Sequence, residues 1–183
     1  MSKRPTLQTK RLTMRLFQLT DADNVRRLAG AKEIASTTLN IPHPYEDGMA
    51  QKWIESTQKA FERNEMINFA IVEQETNKLS GAIGLNLNLR HNRAEMGYWI
   101  GVPFWGKRYC TEAASEVIDY GFKILNLHRI YASHFTRNPG SGRVMQKIGM
   151  TYEGCQRQHV KKWDRFEDRA LYGILINEYQ SNL

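Results

Sequence analysis

Cysteine is scarce in this chain: Cys110 and Cys155 are the only two among 183 residues. Two thiols make neither a disulfide framework nor a metal-ligand spacing, and the simplest setting for them is a reducing cytoplasm. Long apolar runs are missing too, with no stretch reaching the ~18 residues a membrane-spanning helix needs. The start, Met1-Ser-Lys-Arg-Pro5, is basic with no apolar region behind it, so it does not read as a secretory leader. No repeat, low-complexity tract or Pro/Gly/Ser-rich linker interrupts the chain. One domain over residues 1–183 is expected, long enough to bury its own core. The five histidines show no paired spacing, which argues against a zinc site. Acidic residues are the minority, 19 against 26 Lys and Arg, for a net charge of +7. Such a balance suits nucleic acid, a ribosomal surface or a polyphosphate ligand. The basic residues are spread out, however, and no aromatic–basic RNA signature is present, so direct nucleic-acid binding is not expected.

What is present is the pattern of an ordinary globular protein, 41% hydrophobic and 25% charged. Leu12 to Leu16 alternates apolar and polar residues as a half-buried strand does. Thr20 reads as the N-cap of a helix with Asp23 in its first turn, and a second helix is expected from Asp47 to Arg63. The prolines of Ile41-Pro-His-Pro-Tyr45 push their predecessors towards extended backbone, which keeps that segment out of a helix. Strands follow at Ile67–Val72, Leu79–Leu89 and Ala94–Ile100, with turns at Glu75–Lys78 and Arg90–Arg93. A helix from Thr111 to Leu125 carries Ala114, Val117, Ile118, Gly121 and Leu125 on one face. Then come a strand at Arg129–Phe135, a short helix from Asn138 that Gly149 stops, and two strands, Thr151–Val160 and Asp168–Ile176, around a charged turn at Lys161–Glu167. The order βααβββαβαββ implies a mixed, mostly antiparallel sheet of about seven strands flanked by about four helices.

The most informative stretch is Gly97-Tyr-Trp-Ile-Gly-Val-Pro-Phe-Trp-Gly-Lys-Arg-Tyr-Cys-Thr-Glu-Ala113. It reads as a strand, a short basic turn and then a helix. Unpaired N–H groups and the positive end of the macrodipole make a helix start an anion site. Lys107 and Arg108 strengthen that field. A phosphate-bearing ligand with an extended amide-rich arm, aligned along the strand edge, fits the combination.

These residues resemble the GNAT acetyltransferase superfamily, and within it the RimJ/RimL-like branch. The resemblance is carried by Leu7-Gln-Thr-Lys-Arg-Leu-Thr-Met-Arg15, Pro42-His-Pro-Tyr45, Ala94-Glu-Met-Gly-Tyr-Trp-Ile100, Trp105-Gly-Lys-Arg-Tyr-Cys-Thr-Glu-Ala113, Asn138-Pro-Gly-Ser141 and Val144-Met-Gln-Lys-Ile-Gly-Met150. It implies the GNAT fold and acetyl transfer from acetyl-CoA to an amine, with no metal. It also implies a cofactor site built from Trp99 and Ile100, the turn Trp105, Gly106, Lys107, Arg108, Tyr109, Cys110 and Thr111, and the pair Asn138 and Ser141. The family pattern Q/R-x-x-G-x-G/A falls on Trp105 to Cys110. Arg108 stands where it has its central glycine, which leaves two outcomes open: a clash with a phosphate, or a charge-assisted contact to it.

An amine must lose its proton before it attacks a carbonyl, so a general base is required. Strand alternation puts Glu95, Gly97 and Trp99 on one face and Met96, Tyr98 and Ile100 on the other. Glu95, beside Trp99 at a cleft mouth, is the candidate base, its alternative an ion-paired surface glutamate. A backbone N–H near the end of that strand is the candidate carbonyl donor. Family members commonly place N-x-x-S at the short helix. Asn138 is accordingly expected at the pantetheine amide and Ser141 near the thiol as acid, the alternative being that both cap the helix. Cys110 as a nucleophile is unnecessary for direct transfer. Trp53 and Phe61 are either an acceptor wall or core. By resemblance the acceptor is a protein N-terminal α-amino group of the ribosomal-protein type. A small amine such as a polyamine or aminoglycoside, and a non-catalytic CoA-binding module, are the alternatives. A homodimer is common among relatives.

Overall fold

β3 (Met66–Glu73) and β4 (Leu79–Asn88) form the middle of the sheet, and Leu79 to Leu85 is buried without a break. A strand loses its polar alternation in this way when both faces are covered. The coordinates are a computed structural model that describes residues 4–181. The segment Met1–Lys3, part of the stretch read as lacking a leader, lies outside the described residues. The remaining strands are β1 (Thr6–Gln8), β2 (Leu12–Leu16), β5 (Arg93–Ile100), β6 (Arg129–Phe135), β7 (Thr151–Lys162) and β8 (Arg165–Leu175). Their order is β1-β2-β3-β4-β5-β6-β8-β7, and every pairing is antiparallel except β5 with β6.

Helices α1 (Ala22–Ala29), α2 (Lys32–Thr37) and α3 (Met49–Glu62) precede β3. Leu28 of α1 lies against Gly101, and Trp53 of α3 meets Phe17 edge-on at 4.8 Å between ring centroids. The other face carries α4 (Tyr109–Lys123), α5 (Pro139–Lys147) and α6 (Ile176–Ser181). Gly121 of α4 lets that helix close on Ile130 and Leu85, whose side chains a Cβ there would meet or approach.

The mixed sheet is as expected, with one strand and two helices more than anticipated. β1, α2 and α6 have three, six and six residues, too short for periodicity to register. Thr20 does not cap α1. A 3₁₀ turn at Leu19–Asp21 precedes the helix, and buried Asp21 accepts from the Gln18 N–H at 2.8 Å and pairs with Arg15 at 2.7 Å. α4 starts at Tyr109, two residues before the expected Thr111, because Arg108 supplies the left-handed step into the helix. The β7–β8 turn is also tighter than Lys161–Glu167: Lys162 pairs directly with Arg165, and Trp163 takes φ 53°.

Candidate active site

β5 stays paired with β4 along its whole length, from Arg93↔Asn88 to Ile100↔Gly81. Its pairing with β6 covers only Arg93–Glu95 against Arg129–Tyr131. Beyond Glu95 the two parallel strands part, leaving a gap in the sheet. The Gly101 N–H donates to the Ser80 carbonyl at 2.9 Å, so alternation turns the N–H and C=O of Ile100 and Tyr98 away from β4 and into the gap. The Trp105 indole N–H takes up the Ile100 carbonyl at 2.7 Å. A strand edge is thus exposed where an extended amide chain can pair with it.

The turn after β5 has the backbone geometry that an anion site needs. Gly106 (φ 77°) and Arg108 (φ 63°) both adopt left-handed backbone. Among the described residues, the amide N–H groups from Gly106 to Thr111 have no hydrogen-bond partner; the first one engaged is that of Glu112, on Arg108. Glu112 also ties the helix start to the β1–β2 loop, accepting from Thr9 Oγ1 at 2.6 Å and from Arg11 Nε at 2.8 Å and Nη2 at 2.6 Å. The left-handed φ at Arg108 explains what a glycine does in the family pattern: it removes the cost of ~1–2 kcal/mol that an L-residue meets there. Arg108 is exposed and lines the cleft, so its guanidinium is free to meet an anion. Arg108→Gly is therefore expected to leave thermal stability within about 1 kcal/mol, because relief of strain offsets the added freedom of the unfolded chain. The same change should weaken CoA binding about 10-fold through loss of a charge-assisted contact. Calorimetric titration with CoA measures it, and an unchanged Kd removes Arg108 from the phosphate site.

Lys107 is turned elsewhere. Its Nζ lies 3.2 Å from Glu73 Oε1, which also accepts from the Tyr109 hydroxyl, while Thr76 Oγ1 donates to the other oxygen. These donors, Thr76 foremost, hold the Glu73 carboxyl at about 2, well under its ordinary value of 4.5. A depressed folded pKa gives stability that is complete above the unfolded value and lost as pH falls towards the folded one. Unfolding free energy should therefore drop from about pH 4.5 to about pH 2, and Glu73→Gln should flatten that part of the profile. Denaturant titrations across this window measure it.

A cleft of ≈ 1140 Å³ runs through the gap between the two faces of the sheet. Glu95, Trp99, Ile100, Trp105, Gly106, Arg108, Tyr109, Cys110, Thr111, Asn138 and Ser141 all line it, whereas Lys107 does not. Trp53 also lines it. Phe61 packs against the core instead. Asn138 caps α5 through Oδ1, 3.4 Å from the Ser141 N–H. Glu95 does not stand alone beside Trp99: Arg169 Nη2 lies 3.2 Å from its Oε1. Cys110 is half-buried, and burial pushes its thiol pKa up, the reverse of an activated nucleophile.

Like Arg169, Tyr98 and His134 had no role in the sequence reading. Tyr98 reaches across from β5 to α5: its hydroxyl donates to the Ser141 carbonyl at 3.0 Å and accepts from Ser141 Oγ at 3.0 Å. The strand thus delivers a tyrosine hydroxyl to the start of α5. Strand alternation had already put it on that face. Burial, and then the neighbouring Cys110, raise its pKa, so it stays protonated. His134 lines the cleft against Gly142 of α5. Its Nδ1–H donates to the Phe135 carbonyl at 2.8 Å, and buried Nε2 has no partner. Orphan amides in the turn, a free strand edge and this orphan ring nitrogen fit a ligand with phosphates and a chain of amides.

A family model described as an acetyltransferase (GNAT) domain matches residues 11–151. The chain belongs to the GNAT acetyltransferase family. It is similar to the uncharacterized N-acetyltransferase p20 of Bacillus licheniformis, with 34% identity over 176 residues, 95% of this chain and 98% of that one. Among solved structures it resembles spermidine N-acetyltransferase from Vibrio cholerae in complex with CoA and spermine, with TM-score 0.81 and 25% identity over 94% of this chain and 99% of that one. It also shares the fold of ribosomal-protein-S5-alanine acetyltransferase from Vibrio fischeri, with TM-score 0.84 and 20% identity over 94% of this chain and 97% of that one. Similarity thus extends to both spermidine-type and ribosomal-protein-type enzymes, and the family is GNAT as a whole rather than the RimJ/RimL-like branch in particular. The GNAT fold places the chain among acetyl-CoA-dependent acyltransferases that act on amines.

Proposed function

We propose that this GNAT protein acetylates the primary amine of a small molecule, with acetyl-CoA as acyl donor. The acceptor side of the cleft carries the reading. It is walled by Trp53, Tyr45, Met49, Met66 and Trp99, and closed by the segment from Thr38 to Pro42. Buried Lys162 ties that segment down, its Nζ donating to the carbonyls of Leu39 at 3.1 Å and Ile41 at 2.7 Å. A wall fastened in this way favours a compact acceptor over a protein terminus.

Acetyl-CoA, when bound, supplies an activated acetyl thioester. The amides from Gly106 to Thr111 with Arg108 hold its diphosphate, and the open edge at Tyr98 and Ile100 with His134 and Asn138 holds its arm. Glu95, on the α1/α3 face, takes the proton that an amine of pKa ~10 still carries at neutral pH. Tyr98 and Ser141, on the α4/α5 face, stand across the gap. A thiol of pKa ~8.5 is more acidic than either hydroxyl, so neither gives up its proton; the Tyr98 hydroxyl, while still accepting from Ser141 Oγ, turns from the Ser141 carbonyl to donate to developing charge. Tyr98→Phe is expected to lower kcat about 10- to 100-fold with little change in stability. A kcat within twofold of wild type removes Tyr98 from the reaction.

The reading is tested by titrating the protein with acetyl-CoA and then screening amines by mass spectrometry for a gain of one acetyl group. Acetylation of an N-terminal peptide and not of small amines would favour the ribosomal-type acceptor. Binding of the cofactor with transfer to nothing would favour a non-catalytic CoA-binding module.

A further inference from the structure

Three strands send one side chain each to the point where the sheet opens. Glu95, the last residue of β5 paired with β6, stands opposite Tyr131. Ser133 follows further along β6, and Arg169 comes from β8. Arg169 Nη2 donates one hydrogen to Glu95 Oε1 at 3.2 Å and the other to Ser133 Oγ. A single nitrogen thus joins β5 to β6 where their backbone pairing ends. The Arg169 side chain is 22% exposed and that of Glu95 35%, and both residues line the cleft.

The contact makes the two carboxylate oxygens of Glu95 unequal. Among the described residues Arg169 is the sole hydrogen-bond donor to the Glu95 side chain, and it reaches Oε1 alone. Asn86 and Tyr131 flank Glu95 across the strands, yet neither side chain bonds to it. Oε2 is left without a protein partner. A glutamate has three side-chain torsions, and on an open sheet face with no partner it would spread over many rotamers. One fixed oxygen removes most of that spread and gives the second a defined place. Glu95 is also the only carboxylate among the described residues that line the cleft, so no neighbour there can stand in for it.

We infer, building on the reading of Glu95 as the base, that Arg169 is its positioning residue and that Oε2 is the oxygen that takes the amine proton. Ser133 completes the arrangement. The two hydrogens of Nη2 lie in the guanidinium plane at a fixed angle, so seating one on Ser133 Oγ aims the other at Glu95. A lysine ammonium, a compact charge on a flexible stem, carries the same charge without that aim. In the transfer the amine nitrogen forms a bond to the acetyl carbon as the C–S bond of acetyl-CoA breaks. Of the two protons the ammonium gives up, one passes through Glu95 Oε2 to solvent and one ends on sulfur. Arg169 keeps all its protons throughout.

Double-mutant kinetics test the inference, with the full chain, acetyl-CoA and three acceptors: 2-phenylethylamine, spermidine and a peptide with an N-terminal alanine. On whichever acceptor is used best, Arg169→Gln is expected to lower kcat about 10- to 30-fold. KM for the acceptor and Kd for CoA should stay within about threefold of wild type. Arg169→Lys should recover only part of the loss. Ser133→Ala, the milder change should the glutamine variant not fold, is expected to lower kcat about threefold. In a Glu95→Gln background each change should cost less than about twofold more, because the group to be positioned is gone. Losses that multiply in full with that of Glu95→Gln, or that fall equally on CoA affinity, would make Arg169 a brace of the sheet and overturn the proposal. So would an unchanged kcat in Arg169→Gln. Those results spare the acetyltransferase reading. Normal turnover in Glu95→Gln would overturn the base and the proposal together. Transfer to none of the three acceptors would overturn the amine-acetylating reading as well.

Discussion

Glu95→Gln is expected to lower kcat/KM for an amine acceptor about 10³-fold near neutral pH while leaving the folded state intact. The size follows from the proton. An amine of pKa ~10 is neutral in only about one molecule in a thousand at pH 7, so removing its proton accounts for much of the barrier. Glutamine keeps the shape of Glu95 and can still accept from Arg169, but it takes no proton. The pH profile separates this role from a structural one. As pH rises towards the pKa of the amine, solvent does more of the deprotonation, and the deficit of the variant should shrink by about tenfold per pH unit. A deficit that is constant with pH would mean that Glu95 only positions Arg169 or the acceptor. A deficit below about threefold at neutral pH would remove it from the chemistry.

The strand–turn–helix stretch around Trp105 was legible because its signals are local. A glycine, two cations and a helix start within a few residues imply an anion site without any tertiary contact, and Gly106, Arg108, Cys110 and Thr111 do line the cleft. Lys107 shows the limit of that reasoning. Composition marks it as a phosphate ligand, but Glu73, 34 residues away in sequence, takes its side chain. Arg169 was not legible at all. It sits in a strand read only as terminal, and its approach to Glu95 depends on β8 pairing with β6 in register, Arg169 against Phe135. The gap between β5 and β6 is similarly silent in sequence, since a strand that leaves its neighbour has the same alternation as one that stays. Tyr98 lay between these cases: alternation gave its face, but only the placement of α5 brings Ser141 to its hydroxyl.

The glycine pair beside that gap should respond to one substitution in opposite ways. Gly84 of β4 and Gly97 of β5 are cross-strand partners and share a face. A Cβ on Gly84 would lie 2.6 Å from the Ile67 carbonyl oxygen and 2.9 Å from Asn68 Cγ. The oxygen belongs to the backbone of β3 and cannot rotate away, so β3 and β4 must separate where both are buried. Gly84→Ala is therefore expected to cost about 3 kcal/mol, lowering Tm by about 6–12 °C. A Cβ on Gly97 meets nothing within 4 Å, because that position opens into the cleft. Gly97→Ala should leave stability within about 1 kcal/mol, the loss of chain entropy in the unfolded state favouring the variant slightly. Its methyl group would instead stand in the acceptor space beside Glu95, raising KM for the amine with little effect on CoA affinity. Thermal unfolding of the two variants, with CoA and amine titrations of the second, measures the contrast. Equal stability for both would show that β3 and β4 are not packed as tightly as Gly84 requires. An unchanged KM in Gly97→Ala would place the amine away from this face of β5.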